Sequence, residues 1–160
     1  MRSGLVELPL DIPALLAAVA NSACGAQAIF VGTVRDRNDG REVVAIDYSA
    51  YELMAESVLA RIAAELEAAT PGLRVALFHR LGKLAVGEAS IAIVVTSPRR
   101  DAALAAVRQA LERVKSEAPI WKRELYADGG TAWREDEPLI EPPDSGEDGQ
   151  ASGVPGPHAP

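Results

Sequence analysis

Residues 89–97 read ASIAIVVTS, a run that is apolar or small almost throughout. A strand sends successive side chains to opposite faces, so one without a polar face has to be covered on both. This stretch therefore predicts a strand buried on both sides. The material to cover it is close at hand in two long helical patterns. From Glu52 to Ala69 the apolar residues Met54, Val58, Ile62 and Leu66 fall four apart, with Leu59 filling the stripe. From about Arg100 to Glu117 the stripe is Leu104, Val107, Leu111 and Val114, and Pro119 ends the helix.

The other elements are shorter. Asp11 followed by Pro13 suits a helix start and predicts a helix over 12–20. AQAIFVGTV (26–34) reads as a strand in which Gly32 marks a bulge or a close approach. DRNDGRE (36–42) is a turn cluster and VVAIDYSAY (43–51) the returning strand, so these two strands are expected to pair antiparallel. LRVALFHRL (73–81) alternates like a strand, and GKLAVGE is read as a turn before the buried strand at 89. IWKRELY is a short extended piece, and a DGG turn leads from it to TAW at 131–133. Hairpin strands with two long helices predict an α+β domain. No internal repeat is visible.

Charge is unevenly placed. The chain of 160 residues carries a formal net charge of −7, yet Glu135, Asp136, Glu137, Glu141, Asp144, Glu147 and Asp148 are followed and separated by no basic residue. Residues 1–134 thus hold 16 acidic and 16 basic side chains, and the low isoelectric point says nothing about the body. Six of the eleven prolines lie in 137–160. That segment has no apolar periodicity and is expected to be a disordered tail on a domain spanning 1–136. A neutral body with no aromatic–basic stripe argues against nucleic-acid binding. Cys24 is the only cysteine, so a disulfide framework and a cysteine metal site are both absent, and a cytoplasmic setting is expected. IPALLAAVANSACGA has the look of an export signal but is interrupted by Pro13 and preceded by Asp11, and no run reaches the ~20 apolar residues of a membrane span.

The residues able to do chemistry are cationic. No phosphate-binding glycine loop, metal-ligand cluster or nucleophile elbow is present, and His79 and His158 are far apart, so zinc and serine-hydrolase chemistry are not expected. Arg99 and Arg100 open a helix, where backbone N–H groups favour anions and a cation opposes the dipole. They read either as a solvated pair beside Asp101 or as half of an anion site. Arg35 ends a strand before a loop, as a solvated strand end or as a binding residue. His79 reads as a hydrogen-bonded strand histidine rather than a catalytic base. Lys115 and Lys122 flank APIW. A lysine becomes a base or nucleophile when a dry wall and neighbouring cations lower its pKa, and Ile120, Trp121, Arg123 and Arg35 could supply both. For Lys115 alone, a cation complementing a helix C-terminus is an equal reading.

FVGTVRDRN, HRLGKLAVGE, VVTSPRR and KSEAPIWKRE, in this order and at these separations, resemble the large, catalytic subunit of molybdopterin synthase over about residues 5–134. The resemblance implies an α/β-hammerhead fold, with an antiparallel or mixed sheet packed on two long helices, and a homodimer. Each end of that dimer would dock a small ubiquitin-like sulfur carrier, giving a heterotetramer. The carrier's C-terminal Gly-Gly thiocarboxylate would enter the site, where cyclic pyranopterin monophosphate gains two sulfurs and becomes the molybdopterin dithiolene. No metal or resident cofactor is implied. Lys115 and Lys122 match the family's catalytic lysines. Phe30, Thr33, Val34, Arg35, Arg99, Arg100, Arg123 and Glu124 match positions at the substrate. Arg99 stands where the family commonly has histidine, and DYSAYELM lacks a glutamate often found before its second tyrosine. A non-catalytic anion-binding or scaffolding dimer of the same fold is the rival reading.

One consequence follows from helix geometry alone. Arg100 and Lys115 are fifteen residues apart on one helix, about 22 Å at 1.5 Å per residue. That exceeds the length of a pterin phosphate, so if both serve one site they come from different subunits.

Overall fold

The computed structural model describes residues 2–134. Strand β1 (Ser3–Val6) is followed by α1 (Ile12–Val19), β2 (Ala26–Thr33), β3 (Arg37–Asn38), β4 (Arg41–Ala50), α2 (Glu52–Ala69), β5 (Arg74–Arg80), β6 (Gly82–Ala85), β7 (Ala89–Ser97), α3 (Arg100–Glu117), β8 (Ile120–Tyr126) and β9 (Thr131–Arg134). The expected tail lies outside the described residues.

Two sheets result. In the first, ordered β1-β5-β7-β2, β1 runs parallel to β5 while β7 is antiparallel to both of its neighbours. The second is ordered β3-β4-β8-β9, with β6 also pairing β4. The run at 89–97 meets the demand its sequence makes. Ile91, Ile93 and Val95 point into a core shared with Leu59, Ile62 and Leu66 of α2 and Ala103, Ala106, Ala110 and Val114 of α3. Val94 points the other way, onto Val19, Leu15 and Leu16 of α1. Asp11 caps α1 by accepting from the Ala14 N–H at 3.0 Å. The second sheet has a small core of its own: Val34, Val43, Ile46, Leu84 and Tyr126. The architecture is α+β, three helices on a mixed and an antiparallel sheet.

Four expectations are corrected. β2 does not pair with β4. It pairs with β7 from Ala26↔Ser97 to Thr33↔Ala89, because β7 needs a neighbour on each edge. The loop between them forms its own hairpin instead, in which Asp39 (φ 49) and Gly40 (φ 78) make a two-residue turn closing Arg37–Asn38 onto Arg41–Glu42. GKLAVGE is not wholly a turn, since its first four residues form β6 against β4. β1 lies in a segment read without an element. Finally, α3 packs through Ala103, Ala106 and Ala110, leaving Leu104 65 % exposed, and Met54 of α2 is likewise half exposed. Alanines let a helix backbone approach a sheet closely, and that approach rotates the larger side chains outward.

Candidate active site: a cleft between the two sheets

β2 ends where the sheets meet. Its register slips between Gly32 and Thr33, and a Cβ on Gly32 would stand 2.7 Å from Ile91 Cγ2. The chain can run this close only because the residue is glycine. Beside it opens a cleft of about 210 Å³, lined by Phe30, Gly32 and Thr33 from β2, Tyr48 from β4, His79 from β5 and Ser90 and Ile91 from β7. Leu111, Val114 and Lys115 from α3 complete it with Ala118, Ile120, Trp121 and Lys122. Pro119 turns the chain from α3 into β8 and is fully buried, which brings both lysines to the same opening. Lys115 is exposed and Lys122 half-buried. Trp121 is buried, edge-on to Tyr51 with centroids 5.0 Å apart.

The other expected site residues divide between this cleft and places outside its lining. Phe30 and Thr33 line it. Val34 faces the second sheet's core, with its N–H donating to the Glu88 carbonyl (3.0 Å) and its carbonyl accepting from Gly87 (2.8 Å). Arg35 is exposed and donates to Asn38 Oδ1. Glu124 is buried. Its two carboxylate oxygens each accept from Asn38 Nδ2 at 3.0 Å, and Oε2 also accepts from the Tyr126 hydroxyl at 2.7 Å. Arg123 alternates to the opposite face of β8, where it pairs with its registered neighbour Asp47 at 2.8 Å and lies over Trp133. Arg99 and Arg100 sit at the far end of α3 and line a separate depression of about 460 Å³ with Gly25, Pro98 and Asp101. Arg99 is 80 % exposed and approaches Asp101 at 3.5 Å. Asp101's carboxyl is held below its usual range, first by backbone N–H donation at the helix start and then by Arg99.

Tyr48 and Ser90 enter the cleft without any signal in the sequence, and His79, read as a hydrogen-bonded strand histidine, joins them. Burial pushes His79 down to about 4, against the smaller upward pull of its bond to the Arg80 carbonyl. That carbonyl can only accept, so Nδ1, 2.9 Å away, carries the proton and Nε2 holds a lone pair. The ring packs edge-on against Tyr48 at 5.0 Å. The cleft therefore presents a neutral imidazole among ammonium groups. Arg61–Glu117 at 2.8 Å and Arg113–Glu65 at 2.7 Å tie α2 to α3, with Arg61–Glu65 and Arg113–Glu117 paired within each helix. Glu117's carboxyl is lowered by its bond to Arg113 and, less strongly, by Arg61. Among the described residues no group of three or more His, Cys, Asp or Glu could hold a metal ion, and no helix is long and apolar enough to cross a membrane.

Fold and cleft together define an α+β domain with two lysines and an aromatic wall where its sheets join. The chain belongs to the MoaE protein family, whose model matches residues 5–117. It is 45% identical over 129 residues to the molybdopterin synthase catalytic subunit of Culex quinquefasciatus, covering 79% of this chain and 82% of that one. It is 40% identical over 140 residues to the Drosophila willistoni protein of the same name. The match covers 86% of this chain but only 38% of the Drosophila protein, so the chain spans about two fifths of that relative's length. The crystal structure of molybdopterin synthase from Staphylococcus aureus superposes with a TM-score of 0.80 at 34% identity, over 84% of this chain and 97% of the other.

Proposed function

We propose that this chain is the catalytic subunit of a molybdopterin synthase, moving sulfur from the C-terminal thiocarboxylate of a small ubiquitin-like carrier onto cyclic pyranopterin monophosphate. The observation that carries this reading is the convergence of Lys115 and Lys122 on one cleft beside Phe30 and Trp121. Phe30 and Trp121 offer aromatic surface to a flat heterocycle, and the ammonium groups stabilise the oxyanion that forms as the thiocarboxylate reacts. Each transfer forms a carbon–sulfur bond at a substrate carbon and breaks a carbon–oxygen bond there, the oxygen leaving as water or staying on the phosphate as its ring opens. Water then cleaves the acyl–sulfur bond, and the carrier leaves as a carboxylate. One lysine shuttles the proton or forms a transient covalent link. Phe30, Thr33 and Arg35 bind the substrate from the same chain, and Glu124 holds Arg35's surroundings in place.

At about 210 Å³ the cleft falls below the ~300 Å³ at which ligand pockets usually begin. A second chain enlarging it, in an α/β-hammerhead homodimer, would bring Arg99 and Arg100 to the substrate phosphate from the partner. A carrier at each end makes the heterotetramer. The working domain is 1–136, with 137–160 an appended acidic tail, and the setting is cytoplasmic. Mixing the protein with thiocarboxylated carrier and cyclic pyranopterin monophosphate tests the proposal: dithiolene product is expected. Tight binding of both without product would favour the scaffolding reading instead.

A further inference from the structure

Asn38 lies in the β3–β4 hairpin, half-buried, between a cation and a carboxylate. Its Oδ1 accepts from Arg35 Nη2, and its Nδ2 donates to both oxygens of Glu124 at 3.0 Å. The orientation of this amide is dictated by its neighbours, since a guanidinium can only donate and an ionised carboxylate can only accept. Few side chains could stand here. The site asks for an acceptor at one tip and a donor at the other, about 2 Å apart, on a short stem. Aspartate supplies two acceptors, serine is too short, and leucine supplies neither.

We propose that Asn38 is a positioning residue that anchors Arg35 to buried Glu124 while leaving the arginine's charge unspent. A direct Arg35–Glu124 ion pair would hold the arginine equally well but would neutralise it. A neutral amide takes one N–H of the guanidinium and leaves the remaining donors for an anionic group of the ligand. Tyr126, whose hydroxyl donates to Glu124 at 2.7 Å, secures the base of the relay, and Arg41 stacks on the Tyr126 ring with its guanidinium carbon 3.5 Å from the centroid. The chain from Tyr126 through Glu124 and Asn38 to Arg35 thus fixes an exposed arginine just past the end of β2.

The assignment of an anionic ligand rests on the proposed function, so the experiment separates the two. In Asn38→Asp the introduced carboxyl still accepts from Arg35 but faces Glu124 with no proton to give. At pH 8 its KM for cyclic pyranopterin monophosphate should rise about tenfold, the scale of one hydrogen bond to a charged group, with kcat nearly unchanged. Two adjacent carboxyls raise one another's pKa, so lowering the pH to about 5.5 lets them share a proton and should shrink the KM ratio to wild type. Asn38→Ala should show the same KM rise at both pH values. In Arg35→Ala the further change Asn38→Asp should add nothing. A pH-independent ratio for Asn38→Asp, or full additivity with Arg35→Ala, overturns the relay. If wild type yields no product, the proposed function fails. The relay is then read from thermal melts, where Asn38→Ala and Glu124→Gln should be non-additive, and additive losses refute it.

Discussion

At its C-terminal end α3 delivers Lys115 to a cleft that five other elements help to wall, while at its N-terminal end Arg99 and Arg100 stand over a separate depression bounded by Gly25, Pro98 and Asp101. The C-terminal end is also braced, with Arg113 and Glu117 tied to Arg61 and Glu65 of α2. At the N-terminal end Arg99 approaches Asp101 at 3.5 Å and its backbone N–H donates to Ser97 Oγ at 3.4 Å. The helix dipole sharpens the contrast. Lys115 complements the negative end, whereas the two arginines oppose the positive end and raise the local demand for an anion. One end is a walled and braced half of the proposed site. The other makes physical sense when something negative, or another molecule's cleft, is brought to it.

The largest effect should come from the braced end. Lys115→Ala and Lys122→Ala are each expected to lower turnover by at least ~100-fold, the usual cost of losing a positioned acid, base or nucleophile, with melting temperatures close to wild type because Lys115 is exposed and Lys122 only half-buried. Steady-state kinetics beside thermal melts check this, and near-normal turnover in both variants would break the assignment.

A second effect concerns the cleft's neutral imidazole. The unfolded chain takes up a proton on His79 near 6.5, but the folded protein does so only near 4. Stability tied to His79 is therefore fully present above pH 6.5 and falls as the pH drops toward 4, by roughly 3 kcal/mol in all. Urea melts of wild type and His79→Gln between pH 4 and 7 should show a steeper acid limb in wild type. Parallel limbs would mean that the ring is not held neutral by burial.

The smallest effect is expected at the chain's acidic end. A protein ending at Asp136 should keep its melting temperature and its activity, as the composition of 137–160 predicts. A loss of several degrees would contradict that reading.

How far these contrasts could be read in advance depended on how local their causes are. The buried strand at 89–97 and helices α2 and α3 were legible because continuous apolarity and 3.6-residue spacing are properties of one segment. The partner of β2 was not, since a hairpin and a crossing to β7 leave the same local pattern in 26–34. Leu104 outweighed Ala103 in any hydrophobic stripe, yet close helix–sheet packing selects the smaller residue. At the site, Lys115, Lys122 and Trp121 could be grouped because Pro119 joins them within eight residues. His79, Tyr48 and Ser90 could not, because they arrive from three separate strands. Asn38 was visible only as part of a turn, and its role depends on Glu124, 86 residues away.

The central claim is that the two ends of α3 serve one reaction from different chains, about 22 Å being too far for a single substrate to span. It is tested by mixing two inactive proteins, Arg100→Ala and Lys115→Ala, and letting their subunits exchange, with exchange verified by mass spectrometry of differently tagged chains. A heterodimer then has one cleft with both residues intact and one with neither. With random pairing half of the dimers are mixed, so activity should recover to about a quarter of wild type for independent sites in a C2 dimer. Verified exchange with no recovered turnover would contradict the account, because it would place Arg100 and Lys115 in the service of the same chain's cleft.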